Sequence, residues 1–365
     1  EIMSLVGLAS DRTDLRARLE RIVIGANLEG KPVTAGELEV AGAMSAILRE
    51  AIDPNLMQTS EGTPVLVHTG PFANISYGNS SILADRVASR VSEYVVTEAG
   101  FGADMGAEKF FNIKCRISGM RPDAAVLVAT VRALKSHSGR YPLGSARPLP
   151  RELFEEDLEA LGEGCSNLEA QIDNVLAHGV PVVVAVNRFP TDTDSEVALI
   201  RERALAAGAV ACEESRVFEE GGGGGEDLAR AVVAAAESGK ADFRPLYASD
   251  LPIHEKIETL ATRLYGAGSV EYTARAREEM ARYEAEGHGH LPICIAKTQY
   301  SLSHEAKFKG RPAGFVFPVR EVRLYAGAGF LVPLAGKIMT MPGLGRKPAY
   351  RGIDMDADGK ITGLF

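Results

Sequence analysis

The chain has 365 residues, 45% hydrophobic and 24% charged, which is enough to bury a large core and reads as a soluble globular protein. Forty Lys and Arg stand against 49 Asp and Glu, a formal charge of −9, and the basic residues are dispersed along the chain, which argues against a nucleic-acid-binding surface. No apolar run approaches the roughly 20 residues that cross a bilayer, and EIMSLVGLAS lacks the basic start and apolar stretch of a signal peptide, so the expected location is the cytoplasm.

In chain order, DLRARLERIV predicts a charged amphipathic helix close to the start. Strand-like runs follow at 22–27 (IVIGAN), 64–69 (PVLVHT), 94–99 (YVVTEA), 124–131 (AAVLVATV), 181–187 (PVVVAVN) and 209–212 (AVAC). Several are apolar on nearly every residue, which suits parallel strands covered on both faces. Helix-period stretches lie between them at 35–50, 79–92, 152–178, 194–207, 226–237 and 254–265. Strands alternating with helices predict an α/β fold with mostly parallel sheets and flanking helices. In such sheets ligands bind outside the carboxyl ends of the strands, so residues just after strands are the first candidates for a site. From about residue 290, PICIAKT, AGFVFPVREVRLYAGAGFLVPLA and GKITGLF form longer strand-rich runs that predict a separate C-terminal subdomain. Domain boundaries are expected near 165 and 275, with EEGGGGGED at 219–227 as a flexible loop.

Cys115, Cys165, Cys212 and Cys294 lie far apart without a CxxC pair, and are expected as buried free thiols. Gly100, Gly102 and Gly106 form GxGxxxG after an expected strand, and Arg132 ends the next one, the pattern of an NADP-binding turn. Glu98, Asp104 and Glu108 oppose that reading, because three carboxylates would face a pyrophosphate. Asp354, Asp356, Asp358, Gly359 and Ile361 resemble the first part of a calcium loop, but the twelfth position is Phe365, so an Asp-Gly turn between two strands is expected. His288 and His290 form an HxH pair with no Cys or carboxylate placed to complete a metal site, and are expected in a solvent-facing turn.

Two loops carry stronger signals. In HTGPFANISYGNS (68–80), His68 closes a strand, Gly70 and Pro71 shape a turn, and Asn74, Asn79 and Ser80 lead into a helix start that suits an anionic ligand. A capped turn with a satisfied histidine explains the same residues. In VNRFPTDTDSE (186–196), Asn187 ends a strand, Asp192 or Thr193 can cap the next helix, and Phe189 and Pro190 sit in an exposed loop. A flat heteroaromatic ligand would cover that pair, because ring stacking contributes about 1 kcal/mol beyond burial.

The stretches HTGPFANI, YVVTEAGFGADMGAEKFFNIKCR, VATVRALK, AVNRFPTDTDSE, LPICIAKTQYSLS, AGFVFPVREVRLYAGAGF and IMTMPGLGRKPA, in this order, resemble the formate–tetrahydrofolate ligase family, and the resemblance runs from residue 1 to residue 365. It implies a P-loop NTPase-like nucleotide domain. Because GxxxxGK[ST] is absent and the first residue is Glu, a missing N-terminal part is expected. The implied division is 1–165 as the remainder of the nucleotide-binding domain, 166–275 as an α/β folate-binding domain, and 276–365 as a C-terminal α+β domain. The implied reaction activates formate with ATP and Mg²⁺ to formyl phosphate and passes the formyl group to tetrahydrofolate, giving 10-formyltetrahydrofolate. A K⁺ or NH₄⁺ ion and a cytoplasmic homotetramer are implied too. Activity of this chain alone is expected to be poor.

Carried over residue by residue, the resemblance implies that Phe189, Pro190 and Asn187 face the pterin. Phe218 stands in SRVFEEGGGGG where family members usually have Trp. Arg132 and Lys135 would face phosphate, or else pair with the acidic GFGAD loop, and with His68 they form the implied catalytic set. Asn74, Lys297, Thr298 and Tyr300 are implied for nucleotide and phosphate, with Met341, Pro342 and Gly343 as further cleft candidates. Ser138 replaces the first Gly of the signature's His-Gly-Gly, a strained exchange if that position needs positive φ. An NADP-dependent dehydrogenase and a non-catalytic folate-binding fragment are the alternatives.

Overall fold

The computed structural model describes residues 1–141, 149–338 and 348–363. Its central layer is a parallel sheet ordered β5–β6–β7, formed by Ala125–Ala129, Val182–Asn187 and Ala211–Ser215. β6 is the middle strand, and Val182, Val183 and Val184 are fully buried, each contributing about 1.5–3 kcal/mol by its burial. Helix α7 (Leu158–Leu176) and α8 (Asp194–Ala206) cover one face, and α10 (Glu226–Glu237) packs on β6 and β7. This is the expected α/β arrangement, with β-branched residues in the doubly covered strand.

Side-chain caps set where these helices start. Thr130 caps α6 (Val131–His137) through Ala133 N, Asp157 caps α7 through Ala160 N, and Thr193 with Glu196 makes a reciprocal capping box on α8. α6 and α7 cross closely, because Gly164 has no side chain and a Cβ there would overlap the Leu134 carbonyl oxygen.

The second core gathers α11 (Ile253–Arg263) and α12 (Ala274–Ala285) over a sheet ordered β10–β9–β8, formed by Phe330–Ala335, Val316–Tyr325 and Ser269–Tyr272. β8 and β9 run parallel, β9 and β10 antiparallel. β10 is buried at every residue because it serves two cores. Leu331 and Ala335 face the second, while Phe330, Val332 and Leu334 face a third. That third core is closed by Leu5 and Leu8 of α1 (Ile2–Leu8) and Leu15 and Leu19 of α2 (Arg12–Glu20), so the N-terminal helices and β10 share one interior.

Elsewhere the strands differ from expectation. Residues 22–27 and 64–69 contribute not to a buried parallel sheet but to antiparallel hairpins, β1–β2 (Val23–Ala26, Pro32–Thr34) and β3–β4 (Asn55–Gln58, Pro64–Val67), with largely exposed side chains. The run 94–99 forms no strand and makes one isolated bridge, Ala99 with Asn79. Residues 165 and 275 fall inside α7 and α12, which continue through them.

The GxGxxxG segment also departs from a dinucleotide turn, because no strand precedes it and it enters wide π-helical turns at Ala103–Ala107 and Phe110–Lys114. The C-terminal Asp-Gly turn joins Asp354–Met355 to Ile361–Thr362, with Asp356 Oδ1 accepting from Asp358 N and Lys360 N. Phe365 lies outside the described residues. All four cysteines are buried and free, and His290 lies in an exposed turn where its Nδ1 meets the Gly287 carbonyl. Among the described residues no helix is long and apolar enough to cross a membrane.

Candidate functional site

β5, β6 and β7 are neighbouring parallel strands, so the three loops after their carboxyl ends emerge side by side. The first leads to Arg132 in the first turn of α6, the second holds Phe189 and Pro190, and the third leads to Phe218 in the short helix Val217–Glu220. The Arg132 guanidinium lies 3.7 Å from the Phe189 ring centroid and 5.4 Å from that of Phe154. At this spacing the cation is stacked on the ring face, where it is attracted by the ring quadrupole. Arg132 makes no hydrogen bond or ion pair among the described residues, and its polar edge is left for a ligand.

The Phe189 loop is rigidly held. Asp192 Oδ2 accepts from Phe189 N at 2.9 Å, and Arg188 joins Glu214 at 2.9 Å to Asp194 at 2.5 Å. Burial pushes the Asp192 carboxyl above its usual range, with the Phe189 amide opposing the shift. Pro190 is exposed, and Phe218, in the short helix Val217–Glu220 that follows β7, is 95% exposed. Asn187 is half-buried at the end of β6, in register with Ser215.

Lys135 and His68 sit differently from what a catalytic role needs. Lys135 is buried, and its ammonium is surrounded by Glu196 Oε1 at 2.5 Å and the carbonyls of Glu155 at 2.5 Å and Leu153 at 3.4 Å, so its three protons are taken. Neither Lys135 nor Arg132 pairs with the GFGAD loop. His68 Nδ1 meets Ser81 Oγ at 2.7 Å and its Nε2 meets the Ala51 carbonyl at 2.7 Å, the satisfied arrangement of a capped turn. Ser138 has φ −65 and the next residue, Gly139, carries the positive φ of 80, so Ser causes no backbone strain.

A second place lies at the junction of the third core with the sheet β8–β10. A cavity of about 920 Å³ is lined by Asn74, Thr298 and Tyr300 together with Phe72, Phe101 and Lys307. Three of the four residues expected to meet nucleotide thus converge. The fourth, Lys297, is fully buried behind the cavity wall, where its ammonium donates to Asp104 Oδ2 and the Ser301 carbonyl, both at 2.6 Å. Burial lowers its pKa, and Asp104 opposes the shift.

Phe72, Phe101 and Lys307 escaped the sequence reading. Phe101 has φ 61, a left-handed conformation costly for an aromatic residue, and such strain collects at ligand sites. The signal available was the Phe between two glycines in GFGAD, which the glycine spacing overshadowed. Met341, Pro342 and Gly343 lie outside the described residues. Among the described residues no group of three His, Cys, Asp or Glu side chains could hold a metal ion.

Comparison with known proteins gives this geometry a family. A family model for formate–tetrahydrofolate ligase matches residues 1–365. The chain belongs to the formate–tetrahydrofolate ligase family. Proteins named formate–tetrahydrofolate ligase from Roseiflexus sp. (strain RS-1) and from Saccharopolyspora erythraea are each 56% identical over 365 and 364 residues, covering 100% of this chain and 64% of theirs. The one from Aeromonas hydrophila is 54% identical over 365 residues, again 100% of this chain and 63% of its own. The chain therefore spans slightly less than two thirds of these formate–tetrahydrofolate ligases.

Proposed function

We propose that this chain takes part in the ATP-dependent ligation of formate to tetrahydrofolate, giving 10-formyltetrahydrofolate by way of formyl phosphate. Membership of the family supports the reaction class. The observation that carries the site is the Arg132 guanidinium, without a hydrogen bond or ion pair among the described residues, stacked on Phe189 past the carboxyl ends of neighbouring parallel strands, with the exposed Phe218 following the third strand.

The chemistry fits this arrangement. Formate is a poor electrophile because its carboxylate has no good group to expel, and transfer of the terminal phosphoryl of ATP to a carboxylate oxygen supplies one, releasing ADP. The bridging secondary amine of tetrahydrofolate then attacks the formyl carbon, the C–O bond to phosphate breaks, phosphate leaves with the electron pair, and the amine proton is lost. Phe189, Pro190 and Phe218 would hold the pterin between their faces, with Asn187 at its edge. Arg132, its N–H groups unengaged among the described residues, would neutralise the phosphate and hold the acyl carbon near the amine, so its contribution is positioning and charge.

The cavity of Asn74, Thr298 and Tyr300 would take the nucleotide. Lys135, Lys297 and His68 would support these places from behind, since their polar atoms are engaged within the protein. Mg²⁺ would be held mainly by the phosphates of ATP and would neutralise their charge. A K⁺ or NH₄⁺ requirement, a cytoplasmic homotetramer, and a division near 165 and 275 into nucleotide, folate and C-terminal parts belong to the same proposal.

Calorimetric titration of the chain with tetrahydrofolate tests the site. Phe189→Ala is expected to weaken binding about fivefold or more, the worth of roughly 1 kcal/mol of stacking. An unchanged affinity would remove the pterin from this loop.

A further inference from the structure

The stack of Arg132, Phe189 and Phe154 is assembled from three segments distant in sequence, α6, the loop before α8 and the turn before α7. None of these residues bonds covalently or by hydrogen bond to another, so something behind them must fix their relative places. One buried carboxylate reaches all three segments. Glu196 Oε1 lies 2.5 Å from Lys135 Nζ, one helical turn beyond Arg132 on α6, and accepts from Asp157 N at 3.3 Å, three residues after Phe154. Its other oxygen, Oε2, accepts from Thr193 N at 3.0 Å, at the end of the Phe189 loop. Lys135 closes the figure by donating to the Leu153 and Glu155 carbonyls, which flank Phe154.

We propose that Glu196 is the positioning residue of the folate-facing stack, a single carboxylate that sets the distance between the Arg132 cation and the Phe189 ring through Lys135 and Thr193. The inference rests on the reading that this stack meets the pterin, and it goes further by naming what tunes the stack. Two features separate this from an ordinary capping box. A capping box needs one oxygen on its own N-cap amide, and that is the role of Oε2 here. The second oxygen instead binds a buried lysine and a second helix's N-cap amide, neither of which helix capping requires. The side chains of Glu196 and Lys135 are 1% and 2% exposed, so the pair is shielded from solvent and holds one geometry.

The test is a double-mutant cycle read by tetrahydrofolate titration of the full chain, with melting temperature measured alongside. Glu196→Gln is expected to raise the dissociation constant about tenfold in the unaltered background and less than twofold in the Phe189→Ala background, because a residue acting through the stack has little left to act on. Equal effects in both backgrounds, or none in either, overturn the inference. If Phe189→Ala itself leaves binding unchanged, the pterin reading fails first and this inference falls with it, so the two failures are distinguishable. Should Glu196→Gln not fold, the double substitution Lys135→Met with Glu196→Leu replaces the buried pair by apolar groups, an exchange often neutral for stability. That variant is expected to melt near the unaltered chain yet bind tetrahydrofolate about tenfold more weakly, and full affinity in the folded double variant overturns the inference.

Discussion

Phe218 is a ring almost wholly in water in the short helix after β7, and its size is the open variable of the proposed clamp. An indole adds area and one N–H donor to the same position. Phe218→Trp is therefore expected to tighten tetrahydrofolate binding about twofold to tenfold, from the roughly 0.5–1.5 kcal/mol that aromatic pairs contribute, and calorimetric titration would register it. The neighbouring Val217→Trp serves as a control that adds an indole one residue away. Single residues were unevenly legible. Asn187 and Phe189 stand out from the sequence by a local cue, the end of a strand, whereas Phe218 stands out only through the family resemblance. The engagement of Lys297 could not, since its partner Asp104 is 193 residues away and the pair forms only when separate cores close on each other. Lys135 looked like a phosphate ligand for the same reason, as Glu196 comes to it from two helices later.

Between residues and the whole stand the π-helical turns, which hold the most unusual electrostatics of the molecule. These turns and the two residues between them carry Asp104, Glu108, Lys109, Asn112 and Lys114 all into the interior. Glu108 is fully buried with one oxygen accepting from Asn112 and the other unpartnered, and burial pushes its carboxyl up to about 7, against the pull of Lys109. The folded protein thus keeps a proton that the unfolded chain releases near 4.5, so this group's contribution to stability falls as pH rises from 4.5 through 7. His178, lowered to about 4 by burial, works in the opposite sense, its contribution being lost as pH falls from 6.5 toward 4. Glu108→Gln isolates the carboxylate. It is expected to be more stable than the unaltered chain at pH 8, on the order of 2 kcal/mol, and nearly equal to it at pH 5, as denaturant unfolding across that range would record. A difference independent of pH would mean that Glu108 stays charged. The α6–α7 crossing offers a second check on an element. Gly164→Ala forces a Cβ against the Leu134 carbonyl oxygen, so a loss of about 1–3 kcal/mol and a lower melting temperature are expected. The helix pattern predicted α7 and α8 well, because caps and periodicity are local. It missed the π-helical turns, whose pitch follows from buried charges that meet only in the folded chain.

At the scale of the molecule, the alternation of strands and helices was enough to give an α/β fold with a parallel sheet, while the three interleaved cores were beyond local pattern. α2 is tied to the loop after β9 by Arg18 donating to the Ala328 carbonyl, 310 residues on, and periodicity carries no information about such a pairing. Nor does it say which strand of a sheet is at the edge, and here the two edges differ. β7 presents Glu213 and Glu214 and lies under α10, a charged and covered edge of the kind that resists pairing with another chain. β5 has its second side unpaired among the described strands, and beside it Val126 and Val128 are 40% and 63% exposed. An open apolar edge of this sort is a template for strand addition. The chain is accordingly expected to self-associate with rising concentration through β5, as sedimentation velocity or light scattering would show. Val128→Lys places a charge on that edge without touching the buried face of the sheet, so it should suppress association while leaving the melting temperature within about 2 °C, the range of a surface substitution of up to about 0.5 kcal/mol. If association persists undiminished in Val128→Lys, the adhesive surface lies elsewhere, and the exposed Leu56 and Met57 of the β3–β4 hairpin are the next place to put a lysine.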